Sequence, residues 1–394
     1  MNDHQNMASP MISQPRIVIV MHSVLNLKFF WVPILESMAT EFDVVLYIRN
    51  DAPEILKQLD LPCRVVFIPI ERQIAPWKDL RALFAIWRQL RLDQPDLLQT
   101  VTPKAGLLGM LAGRAAGVPI RVHTFQGQVW ATASGLKRTI FRLIDTFIAQ
   151  LSTTILADSR TQLDFLREEG VLRSSKCRVL GSGSISGVDL ERFNHNMPED
   201  PALRADLGLT DDAFVFLYVG RLQRDKGLHV LADAYADVLA RATRPTRLVV
   251  VGPDEENIGP ALEEKLGDAL VLRPYTSRPQ DYLRLADAAV LPSFREGFGS
   301  SLIEAAAMRL PSVASRIYGI NCAVIEGETG LLFEAGNAGE MASAMLRLIN
   351  DPTEYDRLAD KALDRVKREF DQRVVVSNLM DFYLGELAGR GKVT

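Results

Sequence analysis

Short, nearly unbroken apolar segments alternate with longer amphipathic segments along this chain, and this alternation restricts the fold more than any other feature. An unbroken apolar run suits a strand that is covered on both faces, and strand–helix alternation predicts parallel sheets with right-handed crossovers. In the first half we predict strands at 16–21, 43–48, 64–69, 97–100, 120–125, 153–157 and 178–181, with helices such as 31–40, 77–93, 103–116 and 136–151 between them.

The alternation stops at a segment rich in glycine and serine, 181–189, and then restarts. The second set of predicted strands is 214–219, 247–252, 269–273, 288–291, 312–315 and 330–333. We therefore predict an α/β protein in which two doubly wound, Rossmann-like domains face each other across a cleft. The predicted domains are 1–185 and 186–371, and the last helical segment, 372–394, is expected to cross back to the first domain.

Composition excludes several classes of protein. The chain contains no run of about 18 or more apolar residues, which a membrane-spanning helix would need. The first 14 residues lack the basic start and the apolar run of a signal peptide. We therefore expect a cytoplasmic protein. Three scattered cysteines predict neither a disulfide framework nor a zinc site. Residues 1–190 carry 21 Lys and Arg against 17 Asp and Glu, whereas 191–394 carry 24 against 32. This imbalance is too weak for nucleic-acid binding, but it suits a first half that works at an anionic membrane surface.

Residues 291–304 read Leu-Pro-Ser-Phe-Arg-Glu-Gly-Phe-Gly-Ser-Ser-Leu-Ile-Glu, which predicts a strand end, a glycine turn and a helix start. The free N–H groups of such a helix start bind anions. Glu304, one turn into the helix, would accept hydrogen bonds from ribose hydroxyls, so the segment fits a nucleotide diphosphate. An alternative needs no ligand, because Ser301 and Glu304 also match the capping-box pattern Ser-x-x-Glu.

A second motif follows the first predicted strand of the second half. It reads Gly-Arg-Leu-Gln-Arg-Asp-Lys-Gly at 220–227 and precedes a predicted helix. Arg221 offers a rigid fork to a phosphate and Lys226 a point charge. The alternative is a loop with ordinary exposed basic residues.

Together these motifs resemble the donor-site signatures of the retaining glycosyltransferases of family 4, which are Glu-x7-Glu around Gly-Phe-Gly and Gly-Arg-Leu-x-x-x-Lys-Gly. The resemblance implies a GT-B fold, with the acceptor in the first domain and a nucleotide-sugar in the second. It further implies that Arg221 and Lys226 hold the diphosphate, Glu304 the ribose and Glu296 the sugar hydroxyls. Arg273 and Pro274 are expected near the base, and the backbone that binds sugar and phosphate is that of Gly297, Phe298, Gly299, Ser300, Ser301 and Leu302.

The resemblance also bears on the chemistry. Glu296, Arg221 and Lys226 are the expected catalytic residues, because the cations stabilise the departing diphosphate. The chain contains no Asp-x-Asp motif, so we expect neither a metal nor any other cofactor. Retention is expected to proceed by attack on the face from which the phosphate departs.

Segments 102–109, 135–138 and 181–193 resemble a narrower group, the capsule, exopolysaccharide and O-antigen transferases that extend a lipid-diphosphate-linked sugar. This implies a UDP-sugar donor, such as UDP-GalNAc or UDP-GlcNAc, and a polyprenyl-diphosphate-linked saccharide acceptor. It also implies a peripheral location at the inner face of the cytoplasmic membrane. Two alternatives stay open: a UDP-sugar 2-epimerase of the same fold, and a non-catalytic nucleotide-sugar-binding subunit.

Four residues are candidates for the acceptor side. Lys104, early in its predicted helix, could meet the acceptor diphosphate or be an ordinary solvated lysine. The chain lacks the family's glycine pair after the first strand, where Asn26 lies, and Gln126 stands where many members have a histidine. His123 fits either an active-site or a core histidine.

The predicted helix 77–93 could bind a membrane. One stripe is apolar, and basic residues flank it, as in an interfacial helix, although most such stripes face a core. The apolar residues are Trp77, Leu80, Leu83, Phe84, Trp87 and Leu90; the basic ones are Lys78, Arg81, Arg88 and Arg91, to which Lys137, Arg138 and Arg142 could add.

Overall fold

A computed structural model describes residues 14–71, 73, 75–173 and 176–391. Residues 1–14, in which we expect no signal peptide, therefore lie outside the described residues, except for Gln14. The strands are β1 (Arg16–Met21), β2 (Asp43–Ile48), β3 (Arg64–Phe67), β4 (Leu97–Val101), β5 (Ile120–Phe125), β6 (Thr154–Ala157), β7 (Cys177–Arg178), β8 (Phe214–Val219), β9 (Thr246–Val251), β10 (Leu270–Arg273), β11 (Ala288–Leu291), β12 (Ser312–Ser315) and β13 (Gly330–Phe333).

Helices connect these strands. They are α1 (Val24–Asn26), α2 (Val32–Met38), α3 (Pro53–Gln58), α4 (Pro76–Asp93), α5 (Pro103–Ala116), α6 (Gly135–Leu151), α7 (Arg160–Glu168), α8 (Pro201–Asp206), α9 (Leu228–Arg241), α10 (Gly259–Leu266), α11 (Pro279–Leu285), α12 (Ser300–Ala307), α13 (Ala338–Asn350), α14 (Pro352–Arg365) and α15 (Gln372–Ala388). None of the helices in the described ranges is both long and apolar enough to cross a bilayer.

The strands form two sheets, which confirms the prediction of two doubly wound, Rossmann-like halves. One sheet has the order β3-β2-β1-β4-β5-β6-β7 and the other β10-β9-β8-β11-β12-β13. In the second sheet β8 pairs in parallel with both β9 and β11. The direction of winding reverses between β1 and β4 and between β8 and β11, and ligands bind at such switch points, beyond the carboxyl ends of the strands.

The chain divides into two compact units. The first contains the described residues up to His123, with 151–153 and those from Met380 onward; the second contains 124–150 and 154–379. In the first unit the ring of Tyr383, on α15, packs edge-on against Phe42 at 6.3 Å between centroids. In the second unit β8 is the centre of a large apolar core, where Phe216 packs edge-on against Tyr235 on α9.

Two elements differ most from their predicted bounds. The predicted strand 178–181 shrinks to Cys177–Arg178, because Gly181 adopts φ +52° and turns the chain. The predicted helix 31–40 is the end of a longer helical segment, in which a π-helical turn at Leu27–Trp31 joins α1 to α2. This helical segment occupies the place where the family's glycine pair would follow β1.

Candidate active site

Two loops of the second unit meet at the carboxyl ends of the neighbouring strands β8 and β11. The first loop runs from Gly220 through a 3-10 turn at Arg224–Lys226 to Gly227, which begins α9 at φ +69°. A Cβ at Gly227 would lie only 2.1 Å from the carbonyl oxygen of Pro292, in the second loop. Only glycine satisfies both the backbone conformation and this contact, so the final glycine of the 220–227 motif is what brings the loops together.

Lys226 and Glu296 form the centre of the site. The Lys226 Nζ lies 2.7 Å from Glu296 Oε1, and the hydroxyl of Ser293 donates to the same oxygen at 2.7 Å. Both side chains are largely buried, with exposed fractions of 13% and 16%. The fold thus joins the two sequence motifs into one cluster with a cation and a carboxylate in contact.

The helix start after this cluster is free of side-chain caps. Gly299 is the N-cap of α12, at φ +35°, and no side chain bonds to the first turn. The capping box between Ser301 and Glu304 is therefore not formed, and the alternative based on it is wrong. Leu302 N donates to Gly299 O at 2.9 Å, which leaves the N–H groups before it to face a ligand.

Glu304 carries an unpaired carboxyl group. It is partly buried in α12, and among the described residues none donates a hydrogen bond to its side chain. Burial raises the pKa of Glu304 to about 7, which the positive charge of Arg192 partly offsets. A carboxyl held in this way has its full hydrogen-bonding capacity available for hydroxyl groups of a ligand.

Arg221 lies at the exposed side of the cluster. Its Nη1 is 3.5 Å from Glu255 Oε2, and the same carboxylate oxygen accepts a bond of 2.6 Å from the Gln223 amide. The Tyr218 hydroxyl holds the loop from below by donating to the Arg221 carbonyl at 2.8 Å. An incoming phosphate would have to compete with Glu255 for the guanidinium.

The two residues expected near a base are placed differently from each other. The Arg273 guanidinium donates to the carbonyl and the carboxylate of Asp206, the last residue of α8, at 2.9 and 2.8 Å. Its side chain is therefore already hydrogen-bonded within the protein. Pro274 is exposed after β10. The part of this loop that is open to a ligand is therefore Pro274, and the contact with a base stays a prediction for both residues.

The segment around Gln126 packs directly against the turn at Glu296 and Gly297. A Cβ at Gly297 would lie 2.8 Å from Gly127 N, and a Cβ at Gly319 would lie 2.1 Å from Glu296 O. Gln126 therefore lies beside the residues expected to bind the donor. We did not identify Gly127, Gly319 or Ser293 as members of the site from the sequence. Of these, only Gly127 could have been found from the sequence, because it follows Gln126, which stands where many family members have a histidine.

The remaining candidates lie in the first unit. His123 is buried and bonds through Nδ1 to the Thr100 hydroxyl at 2.7 Å; burial lowers its pKa to about 3, which fits the core alternative. Lys104 is not simply solvated, because its Nζ contacts Asp79 Oδ1 at 2.6 Å and also donates to the Gln73 carbonyl. Asn26 is half-buried, and its side-chain oxygen accepts no hydrogen bond among the described residues.

Comparison with known proteins decides the family. Residues 199–365 match the family model described as glycosyl transferases group 1, and residues 34–183 match the glycosyl transferase 4-like domain. The chain is a group 1 glycosyltransferase. The resemblance stated above is thereby confirmed, as are the GT-B class of fold and a transferase activity.

Two curated relatives of this glycosyltransferase align over most of its length. The capsular polysaccharide biosynthesis glycosyltransferase CapM of Staphylococcus aureus is 29% identical over 344 residues, 85% of this chain and 88% of the relative. The UDP-Gal:alpha-D-GlcNAc-diphosphoundecaprenol alpha-1,3-galactosyltransferase of Escherichia coli is 26% identical over 351 residues, 87% of this chain and 89% of the relative.

Solved structures share the fold of the glycosyltransferase. Sucrose-phosphate synthase from Thermosynechococcus elongatus superimposes with a TM-score of 0.79 at 22% identity, over 95% of this chain and 100% of that one. The Anabaena protein HepE, solved in complex with UDP and glucose, superimposes with a TM-score of 0.76 at 18% identity, over 94% and 99% of the two chains.

Proposed function

We propose that this glycosyltransferase transfers a sugar, with retention, from a UDP-sugar to a polyprenyl-diphosphate-linked saccharide during the synthesis of a surface polysaccharide. The observation that carries the proposal is the contact of Lys226 with Glu296 beside the uncapped start of α12. It unites a cation for phosphate, an acid for sugar hydroxyls and free N–H groups in one place. The Escherichia coli relative, named for UDP-Gal and a diphosphoundecaprenol-linked acceptor, supports both substrate classes.

In the proposed reaction the acceptor hydroxyl attacks the anomeric carbon from the face on which the phosphate leaves. The bond between that carbon and the UDP oxygen breaks as the new glycosidic bond forms, and the acceptor proton passes to the departing phosphate. Arg221, Lys226 and the N–H groups at the start of α12 stabilise the negative charge that grows on the diphosphate. Glu296 orients the sugar, and Glu304 holds the ribose. Because two side-chain cations meet the diphosphate, the reaction calls for no metal ion or other cofactor.

The acceptor diphosphate is proposed to meet the start of α5, at the switch point between β1 and β4. Thr102, just before this helix, bonds through its hydroxyl to His22 Nδ1 at 2.8 Å. Lys104 is held near the same end of the helix by Asp79 and would exchange this carboxylate for a phosphate oxygen. Asn26 and Gln126 remain proposed contacts of the reacting sugars.

Within the first unit, α4 is a proposed membrane contact. Ala82, Ile86 and Leu90 are buried on its core side. Leu90, which we predicted to belong to the membrane-facing apolar stripe, therefore faces the core instead. The other side exposes Leu80, Phe84 and Trp77, the last of which is 85% exposed. Basic residues line this exposed side, as at the surface of an interfacial helix: Lys78, Arg81, Arg88 and Arg91.

Within the second unit, α6 is a separate proposed contact with the same membrane. Leu136, Ile140, Leu143 and Phe147 recur at helical spacing and are all exposed, and Leu136 is 75% exposed. Arg138 and Arg142, which we expected to add free charge, are instead paired with Glu169. We therefore assign α6 mainly apolar insertion and α4 the attraction to anionic headgroups.

The catalytic proposal is tested by acceptor-dependent release of UDP. The purified protein is given UDP-galactose, UDP-glucose, UDP-GalNAc or UDP-GlcNAc, with or without undecaprenyl-diphosphate-linked GlcNAc, and products are identified by mass spectrometry. We expect UDP release with at least one donor only when the acceptor is present. Conversion of a UDP-sugar into its epimer without acceptor would overturn the proposal in favour of the epimerase, and binding without any turnover would favour the non-catalytic subunit.

The membrane proposal is tested with vesicles that contain anionic phospholipid. Each basic residue near such a surface contributes about 1 kcal/mol, so the loss of three of them weakens binding by about two orders of magnitude. Reversing Arg81, Arg88 and Arg91 to Glu also adds repulsion, so binding should weaken by at least this factor. A matched control reverses Lys361, Lys367 and Arg368, which are exposed elsewhere. Leu136→Ser with Leu143→Ser should weaken binding to neutral vesicles as well. Equal sedimentation of wild type and both test variants would exclude these helices as the contact.

A further inference from the structure

Asp158 is a buried carboxyl group that the proposed mechanism does not use. It lies between β6 and α7 and is only 2% exposed. Among the residues that the structure describes, none donates a hydrogen bond to its Oδ2 and no cation pairs with it. A buried acid without a donor or a counter-ion lowers the stability of a fold, so such a group calls for an explanation.

The position of Asp158 in the fold explains why a buried acid is present here. A Cβ at Gly297 would lie 3.4 Å from Asp158 Oδ2, so the carboxyl contacts the turn that begins at Glu296. The backbone of Asp158 is fixed from two sides, since its N–H donates to Gln162 Oε1 at 2.7 Å and its carbonyl accepts from Ser184 N at 2.8 Å. These bonds hold the Cα of Asp158 beside the turn, so the carboxyl stays within reach of it.

No neighbouring charge compensates that of an ionised Asp158. On α7 the charged groups are Arg160, which is exposed, Glu168, and Arg167, which pairs with Asp164. On the turn they are Arg295, which pairs with Asp225, and Glu296, which is held by Lys226. The loops at 126–128 and 180–187 carry no charged residue. Burial raises the pKa of Asp158 to about 8, so the group is neutral at pH 7 and ionises within the range in which enzymes are assayed.

We propose that Asp158 is a positioning residue for the turn at Glu296 and Gly297, and that the turn binds the donor only while this carboxyl is neutral. The inference rests on the donor site proposed above. An ionised carboxylate needs hydrogen-bond donors, and the backbone N–H groups of Gly127 and Gly297 belong to the turn beside it. Bonds to these N–H groups would draw the turn away from the sugar and add a second negative charge beside Glu296 and the diphosphate.

The test is the pH dependence of UDP-galactose binding, measured by calorimetry between pH 6 and pH 9. A group whose pKa is about 8 loses its neutral form above that pH. Glu304, whose pKa is about 7, also ionises over part of this range and raises affinity about twofold, so wild-type affinity should fall about fivefold between pH 7 and pH 9. In Asp158→Asn, which keeps the shape and a permanently neutral group, affinity should not fall over this alkaline range, whereas Asp158→Ala should bind weakly at every pH.

Two further variants separate the possible results. Asp145→Asn removes another buried acid of the same unit, whose pKa is raised to about 7 by burial, and should keep the alkaline decline. Glu304→Gln tests the donor site itself. If Glu304→Gln binds like wild type, the donor site fails and the inference with it. If Glu304→Gln is impaired but Asp158→Asn shows the same alkaline decline as wild type, only the role of Asp158 is overturned.

Discussion

Replacing Glu304 by Gln separates a ligand-binding carboxylate from a structural one, because the two roles predict opposite changes. Burial raises the pKa of Glu304 from its ordinary value of 4.5 to about 7 in the folded protein. The folded state therefore favours the protonated form, and ionisation costs stability. This cost is absent below about pH 4, grows up to about pH 7 and is constant above it. At pH 8 it amounts to about 3 kcal/mol, since each pKa unit corresponds to about 1.4 kcal/mol.

The Glu304→Gln variant has no such cost, so it should be more stable than wild type at pH 8, by about 1 to 3 kcal/mol. Its binding of UDP-galactose should nevertheless weaken at least tenfold, because a hydrogen bond to a charged group is worth about 1.5 to 3 kcal/mol and one to a neutral group about half of that. Wild-type affinity should also improve about fivefold from pH 6 to pH 8, because the Glu304 carboxylate forms while only about half of Asp158 ionises, whereas the variant should show no such improvement.

Thermal unfolding and calorimetry at pH 6 and pH 8 measure all three effects. Among the described residues no donor bonds to the Glu304 side chain, so the gain in stability requires no rearrangement. A variant that unfolds at a lower temperature than wild type and binds UDP-galactose with unchanged affinity would refute the reasoning. Glu304 would then serve α12 and not a nucleotide.

Three other predictions follow from the same site. Arg221→Ala and Lys226→Ala should each lower kcat by about 100-fold or more, because these side chains act on charge that appears in the transition state. The unfolding temperature should change little in Arg221→Ala, whereas Lys226→Ala also leaves Glu296 without its cation and should lose some stability; an unchanged kcat in either variant would contradict this. EDTA should leave the rate of UDP release unchanged, and a rate that is lost with EDTA and restored by magnesium would show that a metal is needed. Gly227→Ala should separate the two loops, because the new Cβ would lie 2.1 Å from the Pro292 carbonyl oxygen at a backbone φ of +69°. We expect lower donor affinity and a loss of stability of about 1 to 3 kcal/mol. Normal affinity in this variant would show that the loops tolerate the separation.

The fold was predictable because its signals are local. Most strands of the two sheets follow from nearly unbroken apolar runs, and β8 begins at Phe214 and ends at Val219, as predicted. The two motifs predicted that Lys226 and Glu296 serve one donor site, but not that the two side chains are in contact. This contact across 70 positions depends on the close approach of Gly227 to the Pro292 carbonyl, which no pattern in the sequence reveals.

Other parts of the site were beyond prediction for the same reason. Asp158 looks like an ordinary polar residue between a strand and a helix, and its burial arises only because loops distant in the chain cover it. The engagement of Lys104 by Asp79 and of Arg273 by Asp206 likewise depends on which helices lie next to one another. Exposed apolar residues on α6 were missed because the helical periodicity of the sequence does not reveal which face the fold covers.

The contact between Lys226 and Glu296 also has a consequence for the end of the catalytic cycle. In the proposed reaction, the sugar hydroxyls of the UDP-sugar bind Glu296, and Lys226 binds the diphosphate. Once the sugar has been transferred to the acceptor, Glu296 would have no sugar ligand and would attract Lys226, with which it forms a contact of 2.7 Å in the structure. The Glu296 carboxylate would then compete with the diphosphate of UDP for Lys226. We therefore expect UDP to inhibit the enzyme less strongly than its phosphate contacts alone would predict.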